Sequence, residues 1–225
     1  KKYPSRVVSV ETPLEGVHVV TLESLGREYN YLPGQFLHLA LDQYDPSAPW
    51  PESRCFSMQT ASVDRVIRLT YAVKGGFTGR MAEELAPGRE LVVKLPYGEL
   101  FSKNHATASC VFIAGGTGVT PFLSLFAHPD FAGYSNPVLW LGVREQRFHI
   151  YEKEISAARL TNPGFQVHVV RQETDGVLDI DAIRAAHGTG ATYFVSGPPA
   201  MIRLFKERLQ AQGVPAENIR TDDWE

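Results

Sequence analysis

The apolar positions of the chain follow two different rhythms. Up to about residue 100 they come in short runs that alternate with polar residues or are rich in β-branched ones: 6–11, 17–24, 36–41, 54–60, 66–73 and 91–95. Turn formers separate the runs: Pro13 and Gly16, the Pro33-Gly34 pair, and a proline-rich loop over 45–51. A period of two places alternate side chains on opposite faces of a strand. Six such strands with turn signals between them predict a small antiparallel barrel. One helix is expected within this half, from Thr78 through Met81 to Leu85, stopped by Pro87-Gly88.

After residue 104 the rhythm changes. Apolar runs at 110–114, 138–143, 165–170 and 193–195 read as buried strands, and helical patterns follow each of them, at 121–126, 151–159, 180–186 and 200–212. This βα alternation predicts a parallel sheet flanked by helices. The polar stretch 102–106 divides the two patterns, so the expected domains are 1–104, a six-stranded antiparallel β-barrel, and 105–225, an open α/β parallel-sheet domain.

Composition narrows the function classes. Of 225 residues, 44% are hydrophobic and 21% charged, which describes an ordinary globular protein. The net charge of −3 comes with no long basic block, so nucleic acid is not an expected partner. No apolar run reaches spanning length and no signal-peptide pattern opens the chain, so a cytoplasmic protein without a membrane span is expected. The chain starts at Lys1 rather than Met, which leaves open a processed product or a piece of something longer. Cys55 and Cys110 lie in apolar runs and form no CxxC pair; zinc ribbons and cysteine-ligated clusters are excluded within this chain, and two reduced core thiols are expected. Seven histidines form no HExxH or paired metal spacing, so no metal site is expected, and no GxSxG elbow or Ser/His/Asp pattern supports hydrolysis.

Several short stretches carry chemistry. Residues 111–121, VFIAGGTGVTP, run from a strand through a glycine turn into a helix. Such a turn lets backbone approach a ligand, and helix-start N–H groups attract phosphate. The spacing is not GxGxxG, so the turn is either a phosphate cradle of another kind or a tight, ligand-free turn. Lys74-Gly-Gly-Phe-Thr-Gly-Arg-Met81 places a second glycine turn and a hydroxyl at a helix start. Arg54-Cys-Phe-Ser57 lies on a strand, with Arg54 and Phe56 on one face and Cys55 and Ser57 on the other. The stretches LPYG (95–98) and YFVSGPPAM (193–201) complete the set, the second running from a strand through Ser196 and Gly197 into a helix stiffened by Pro198 and Pro199.

Taken in order, these motifs resemble the ferredoxin–NADP⁺ reductase family, over nearly the whole chain from Arg6 to Trp224. The resemblance implies a flavin-binding barrel followed by a nicotinamide-nucleotide domain. It matches the family's Arg-x-Tyr-Ser to Arg54, Phe56 and Ser57. Arg54 would then grip flavin phosphates through its fork of donors. Phe56 would keep the aromatic contact with the isoalloxazine and lose a phenol hydrogen bond, and Ser57 would bond flavin N5. Val73 and Lys74 would lie along the flavin, with Gly76, Phe77 and Thr78 at its pyrophosphate. An arginine plus a helix start suits the diphosphate of FAD better than a lone FMN phosphate. Gly116, Thr117, Gly118 and Thr120 match the nucleotide turn. Arg144, Arg147 and Arg171, at strand ends, would read a 2′-phosphate, which favours NADPH and leaves NADH open; each could equally be a solvated charge. Ser196, Gly197, Pro198 and Met201 match a Cys-Gly-Pro-x-x-Met motif, with serine in place of cysteine beside the hydride path. Asp222 and Trp224 match a closing acidic residue and aromatic that hold a charge near the nicotinamide and shield the flavin; the alternative is a polar tail with one packed Trp. Tyr151 would stack on adenine or pack a helix.

The resemblance thus implies a FAD-dependent NAD(P)H reductase in which Ser57, Ser196 and Asp222 attend hydride transfer. Single electrons would leave for a ferredoxin, a flavodoxin or an oxygenase component. Two alternatives stay open: a reductase module of a longer fused chain, and a flavin-holding electron-transfer or regulatory subunit without NAD(P)H turnover.

Overall fold

The computed structural model describes residues 1–61 and 65–222. Trp224 therefore lies outside the described residues. The first half forms one six-stranded antiparallel sheet in the order β4-β3-β6-β1-β2-β5. Its strands are β1 (Lys2–Leu14), β2 (Val17–Ser24), β3 (Phe36–Ala40), β4 (Ser53–Ser57), β5 (Val66–Ala72) and β6 (Glu90–Tyr97). The period-two expectation holds residue by residue. Val20 and Leu22, Leu37 and Leu39, Ile67 and Leu69, and Leu91 and Val93 turn inward into one core. β1 and β6 run several residues further than their apolar runs, because β1 keeps pairing past its hydrophobic stretch to Lys2 and Leu14. Helix α1 (Gly76–Glu84) seals the core with Phe77 and Met81, both buried.

The second half is a five-stranded parallel sheet in the order β11-β10-β7-β8-β9. It comprises β7 (Cys110–Gly115), β8 (Val138–Val143), β9 (Gln166–Arg171), β10 (Thr192–Ser196) and β11 (Ile219–Thr221). Helices α2 (Thr120–Phe126) and α3 (Glu152–Thr161) cover one face, over a core that includes Phe112, Phe122, Phe126 and Phe194. Helices α5 (Ile180–His187) and α6 (Pro199–Ala211) cover the other, over Val111, Ile113, Tyr193 and Val195. A one-turn helix, α4 (Gln172–Asp175), follows β9 and has no apolar periodicity to announce it.

The strand order decides where a ligand can enter. From β7 the chain winds outward through β8 and β9, then returns to the other side of β7 as β10 and β11. The order therefore reverses between β7 and β10. In an open α/β sheet the crevice outside the carboxyl ends of the strands at such a point is where ligands bind.

The halves meet over α2 and α3. The Gly34 N–H donates to Ser124 Oγ at 2.8 Å, and Ser124 in turn donates to the Pro121 carbonyl. Arg68 of β5 pairs with Glu154 of α3 at 3.4 Å. Phe101, past the end of β6, packs against Phe112, Phe122 and Phe194 of the second core.

Candidate functional site

Both strands beside the switch point end in glycine turns. β7 ends at Gly115 and runs through a 3₁₀ turn over Gly116–Val119 into α2, so the expected glycine turn takes the form of a tight coil. β10 ends at Ser196, followed by Gly197 with φ +151°. The two turns touch backbone to backbone. A Cβ on Gly118 would fall 2.5 Å from Gly197 Cα, and one on Gly197 would fall 3.1 Å from Gly115 N. Gly116 differs: it sits at φ +56° with nothing within 4 Å of a Cβ, so its backbone faces open space. The turn thus divides its labour. Gly118 and Gly197 let the strand ends close on each other, and Gly116 is the exposed approach.

Ser196 is 2% exposed and donates from Oγ to Asp222 Oδ2 at 3.3 Å. The Asp222 N–H donates to the Val195 carbonyl at 3.1 Å, which fixes that residue against the end of β10. Two of the three residues expected to attend hydride transfer are therefore in contact. The third, Ser57, closes β4 and is 5% exposed, with no hydrogen bond from its side chain to another described residue. Thr120 is buried at the start of α2, and Met201 packs its sulfur beside Gly115 and Pro198.

A second constellation sits at the end of the barrel. The Arg54 guanidinium lies 5.0 Å from the Phe77 ring in the first turn of α1. Gly75 and Gly76 leave that turn open, with nothing within 4 Å of either Cβ position, and no side chain caps it. The Thr78 hydroxyl is occupied locally. It accepts from the Lys74 and Gly75 N–H groups at 2.9 and 3.2 Å and donates to the Gly75 carbonyl, so it shapes the turn. Arg54 also pairs with Glu52 at 2.8 Å, and both side chains are about half exposed. An ion pair this open contributes little, about 0–1 kcal/mol, and exchanges readily for a better anion. Phe56 faces the barrel core opposite Leu37 and meets the Tyr71 ring edge-on at 6.2 Å. Val73 and Lys74, just past β5, are exposed.

The three arginines gather at the ends of β8 and β9. Arg171 donates from Nε to Gln146 Oε1 at 2.5 Å and pairs with Asp175. Arg147 pairs with Glu145 at 2.8 Å and lies over the Phe148 ring. Arg144 is exposed, and no described carboxylate pairs with it. Tyr151 is 3% exposed and packs in the second core. Burial raises its phenol pKa, and the nearby Thr70 hydroxyl opposes that only in part. Glu52, the acid that pairs with Arg54, sits in the bend just before β4, where no strand pattern marks it.

Residues 112–207 match the model of the oxidoreductase NAD-binding domain. Over the whole chain the reductase component of propane 2-monooxygenase from Rhodococcus jostii is 27% identical, covering 97% of this chain and 61% of that protein. The ferredoxin–NAD(+) reductase component of the alkene monooxygenase system of Xanthobacter autotrophicus is also 27% identical, covering 99% of this chain and 70% of that one. A ferredoxin NADP⁺ reductase from Neisseria gonorrhoeae, solved with FAD and NADP bound, superposes with a TM-score of 0.82 at 15% identity, over 99% of this chain and 98% of that one. Over nearly its whole length the chain is similar to ferredoxin reductase modules. The family's two-sheet architecture accounts for the order of the barrel, the glycine turn and the switch-point crevice. This module spans less than two thirds of the length of the propane monooxygenase reductase it matches.

Proposed function

We propose that the module is a FAD-dependent NAD(P)H reductase, in which residues 1–104 hold the flavin and 105–225 the nicotinamide nucleotide. One observation carries the reading. The crevice where the strand order reverses is flanked by both glycine turns, and it brings Ser196 and Asp222 together at its wall. The residues at the barrel end fit a diphosphate: Arg54 supplies two donors, and the open backbone at Gly75 and Gly76 supplies helix-start N–H groups.

Bound FAD would accept a hydride from the nicotinamide and release electrons singly. The chain's own part is placement. Arg54, Gly76, Phe77 and the turn shaped by Thr78 would hold the diphosphate, with Val73 and Lys74 along the flavin. Ser57, at the end of β4, would border the ring system, with Phe56 packed behind it in the barrel core. Gly116 and Thr117 would meet the nucleotide phosphates, and Gly118 and Gly197 set the width of the crevice. Ser196 and Asp222 would orient the nicotinamide, with the carboxylate placed to balance the positive charge that the ring gains. Of the three strand-end arginines, Arg144 has no carboxylate among the described residues to displace, which favours it for a 2′-phosphate and hence NADPH. The acceptor class, a ferredoxin, flavodoxin or oxygenase component, is supported by relatives that are reductase components of oxygenase systems.

Anaerobic mixing with NADPH and with NADH tests this. The FAD-loaded protein should bleach near the usual flavin bands within seconds, faster with NADPH. A protein that takes up FAD and does not bleach with either coenzyme would be a flavin holder rather than a reductase.

A further inference from the structure

One side chain at the seam between the halves touches elements of both. Arg68 stands on the face of β5 opposite the core residues Ile67 and Leu69, and reaches across to Glu154 in the first turn of α3. Its guanidinium is shared. Nη1 lies 3.4 Å from Glu154 and Nη2 lies 3.4 Å from Glu11 of β1, so it stands between one carboxylate of each half. A well-made contact of this kind measures about 2.7–2.9 Å, so both are loose. The Arg68 Nε is buried and has no hydrogen-bond partner among the described residues. Thr70, two positions on and on the same face, lies beside the buried phenol of Tyr151, which precedes α3. The two hydroxyls are close but out of hydrogen-bond geometry, so the Tyr151 Oη is also without a partner among the described residues.

Each side of this seam leads directly to a candidate site. On the nucleotide side, residues 144–151 run from the end of β8 into α3 and carry Arg144 and Arg147, so a coenzyme gripped there also bears on where α3 begins. On the barrel side, the Arg68 carbonyl accepts from the Gln59 N–H at 2.9 Å, and Gln59 lies two residues past Ser57. The Gln59 side chain donates from Nε2 to Thr70 Oγ1 at 2.7 Å. β5 itself runs on past Thr70 into Val73 and Lys74. The halves are tied a second time at α2, where the Gly34 N–H meets Ser124. One tie leaves two bodies able to tilt about it, and a second tie away from the first fixes the angle. Arg68 and Glu154 supply that second tie.

We propose that Arg68 is a positioning residue for hydride transfer: by holding Glu154 it sets how the nucleotide half presents the nicotinamide to the flavin. This rests on the reductase reading and adds to it a residue outside both sites. Reacting atoms must come within about 3–3.5 Å, and a misplacement of about 1 Å costs about a hundredfold in rate. Arg68 itself touches no reacting atom and moves no proton. It is also a minor source of stability, because an ion pair with both side chains about one-third exposed adds little. The loose sharing between Glu11 and Glu154 lets the guanidinium tighten on Glu154 as bound coenzyme draws α3 toward the barrel.

The test uses the FAD-loaded protein in stopped flow, with NADPH varied so that the limiting rate of flavin bleaching separates from coenzyme affinity. Arg68→Met and Glu154→Gln should each lower the limiting rate at least about tenfold, with the NADPH Kd and the FAD content within about twofold of the wild type. The double variant should be no slower than the worse single one, because both remove the same contact. The exchanged pair, Arg68→Glu with Glu154→Arg, should recover to within about threefold of the wild type. Glu11→Gln, which removes only the barrel carboxylate, should stay within about twofold. A second readout needs no turnover: NADP⁺ should perturb the absorbance of the oxidised flavin in the wild type, and less in Arg68→Met at equal NADP⁺ occupancy by calorimetry. Unchanged limiting rates in both single variants overturn the proposal. So does a slowing that comes with lost FAD or a lowered melting temperature and that the exchanged pair does not recover, since Arg68 would then be structural only. A wild type that neither bleaches with NADPH nor responds to NADP⁺ would overturn the reductase reading, and this proposal with it. That result is distinguishable because the unaltered protein gives it.

Discussion

Alanine at position 118 would put a methyl carbon 2.5 Å from Gly197 Cα, 2.6 Å from Gly197 N and 2.7 Å from the Ser196 carbonyl carbon. Carbon atoms in contact prefer about 3.5–4.0 Å, so the two turns would have to separate by about 1 Å. None of the three atoms is a side-chain end that can rotate away. Overpacking of a tight site costs about 1–3 kcal/mol, and a clash with backbone belongs at the upper end, about 3 kcal/mol. For a protein of this size each kcal/mol moves the melting temperature by about 2–4 °C. Gly118→Ala should therefore melt about 6–12 °C below the wild type. Gly116→Ala is the control. It meets no atom within 4 Å and bears only the strain of φ +56°, about 1 kcal/mol, so it should fall only about 2–4 °C. Differential scanning fluorimetry, backed by urea denaturation, reads both values. If the two variants melt together, or Gly118→Ala does not shift, the backbone contact between the turns is not what closes the crevice.

The other predictions concern single side chains. Arg54→Ala should weaken FAD binding by about 1–2 kcal/mol, the loss of a charge-assisted contact less the exposed Glu52 pair. That is about a 5- to 30-fold rise in Kd by fluorescence titration, and an unchanged Kd removes Arg54 from the diphosphate. Arg144→Ala should raise KM for NADPH about tenfold and leave KM for NADH nearly unchanged; equal effects remove it from the 2′-phosphate. Ser196→Cys should leave FAD content unchanged and alter only the rate of flavin bleaching in stopped flow, and altered FAD content would misplace Ser196. His187 accepts the Trp140 indole N–H at 3.1 Å, and desolvation, aided by His168, lowers its pKa from 6.5. The unfolded chain therefore takes up this proton first as pH falls. Stability is full above about pH 7 and declines through 6.5 toward the lower folded value. His187→Gln should reduce the difference between urea midpoints at pH 7.5 and 5.5, and an unaltered difference assigns the pH dependence to other groups.

The period-two and βα patterns carried most of the fold into view, because each reflects a face buried by its nearest neighbours in sequence. What escaped is non-local or carried by backbone. The 3₁₀ turn at Gly116–Val119 exists because β7 must turn tightly beside Gly197, some eighty positions on. Nothing in "GGTG" tells the packing glycine from the open one. Ser196 and Asp222 were each expected near the nicotinamide from resemblance. Their hydrogen bond depends on β11 pairing with β10 in parallel, which the short run 219–221 does not announce. Glu52 meets Arg54 from the bend that precedes β4, so no strand periodicity announces the pair. The seam between the halves follows no local pattern, since a glycine N–H and a buried serine found each other across ninety positions.

Helix α2 has every one of its seven residues buried, and Ser124 within it holds the Gly34 turn of the barrel. It is covered by the sheet on one side and the barrel on the other, so it has no solvent face of its own. Neither half can be cut away without uncovering an apolar helix or orphaning a buried hydroxyl. The two sheets should accordingly unfold as one cooperative unit, and an isolated nucleotide half would need its α2 surface redesigned before it stayed in solution.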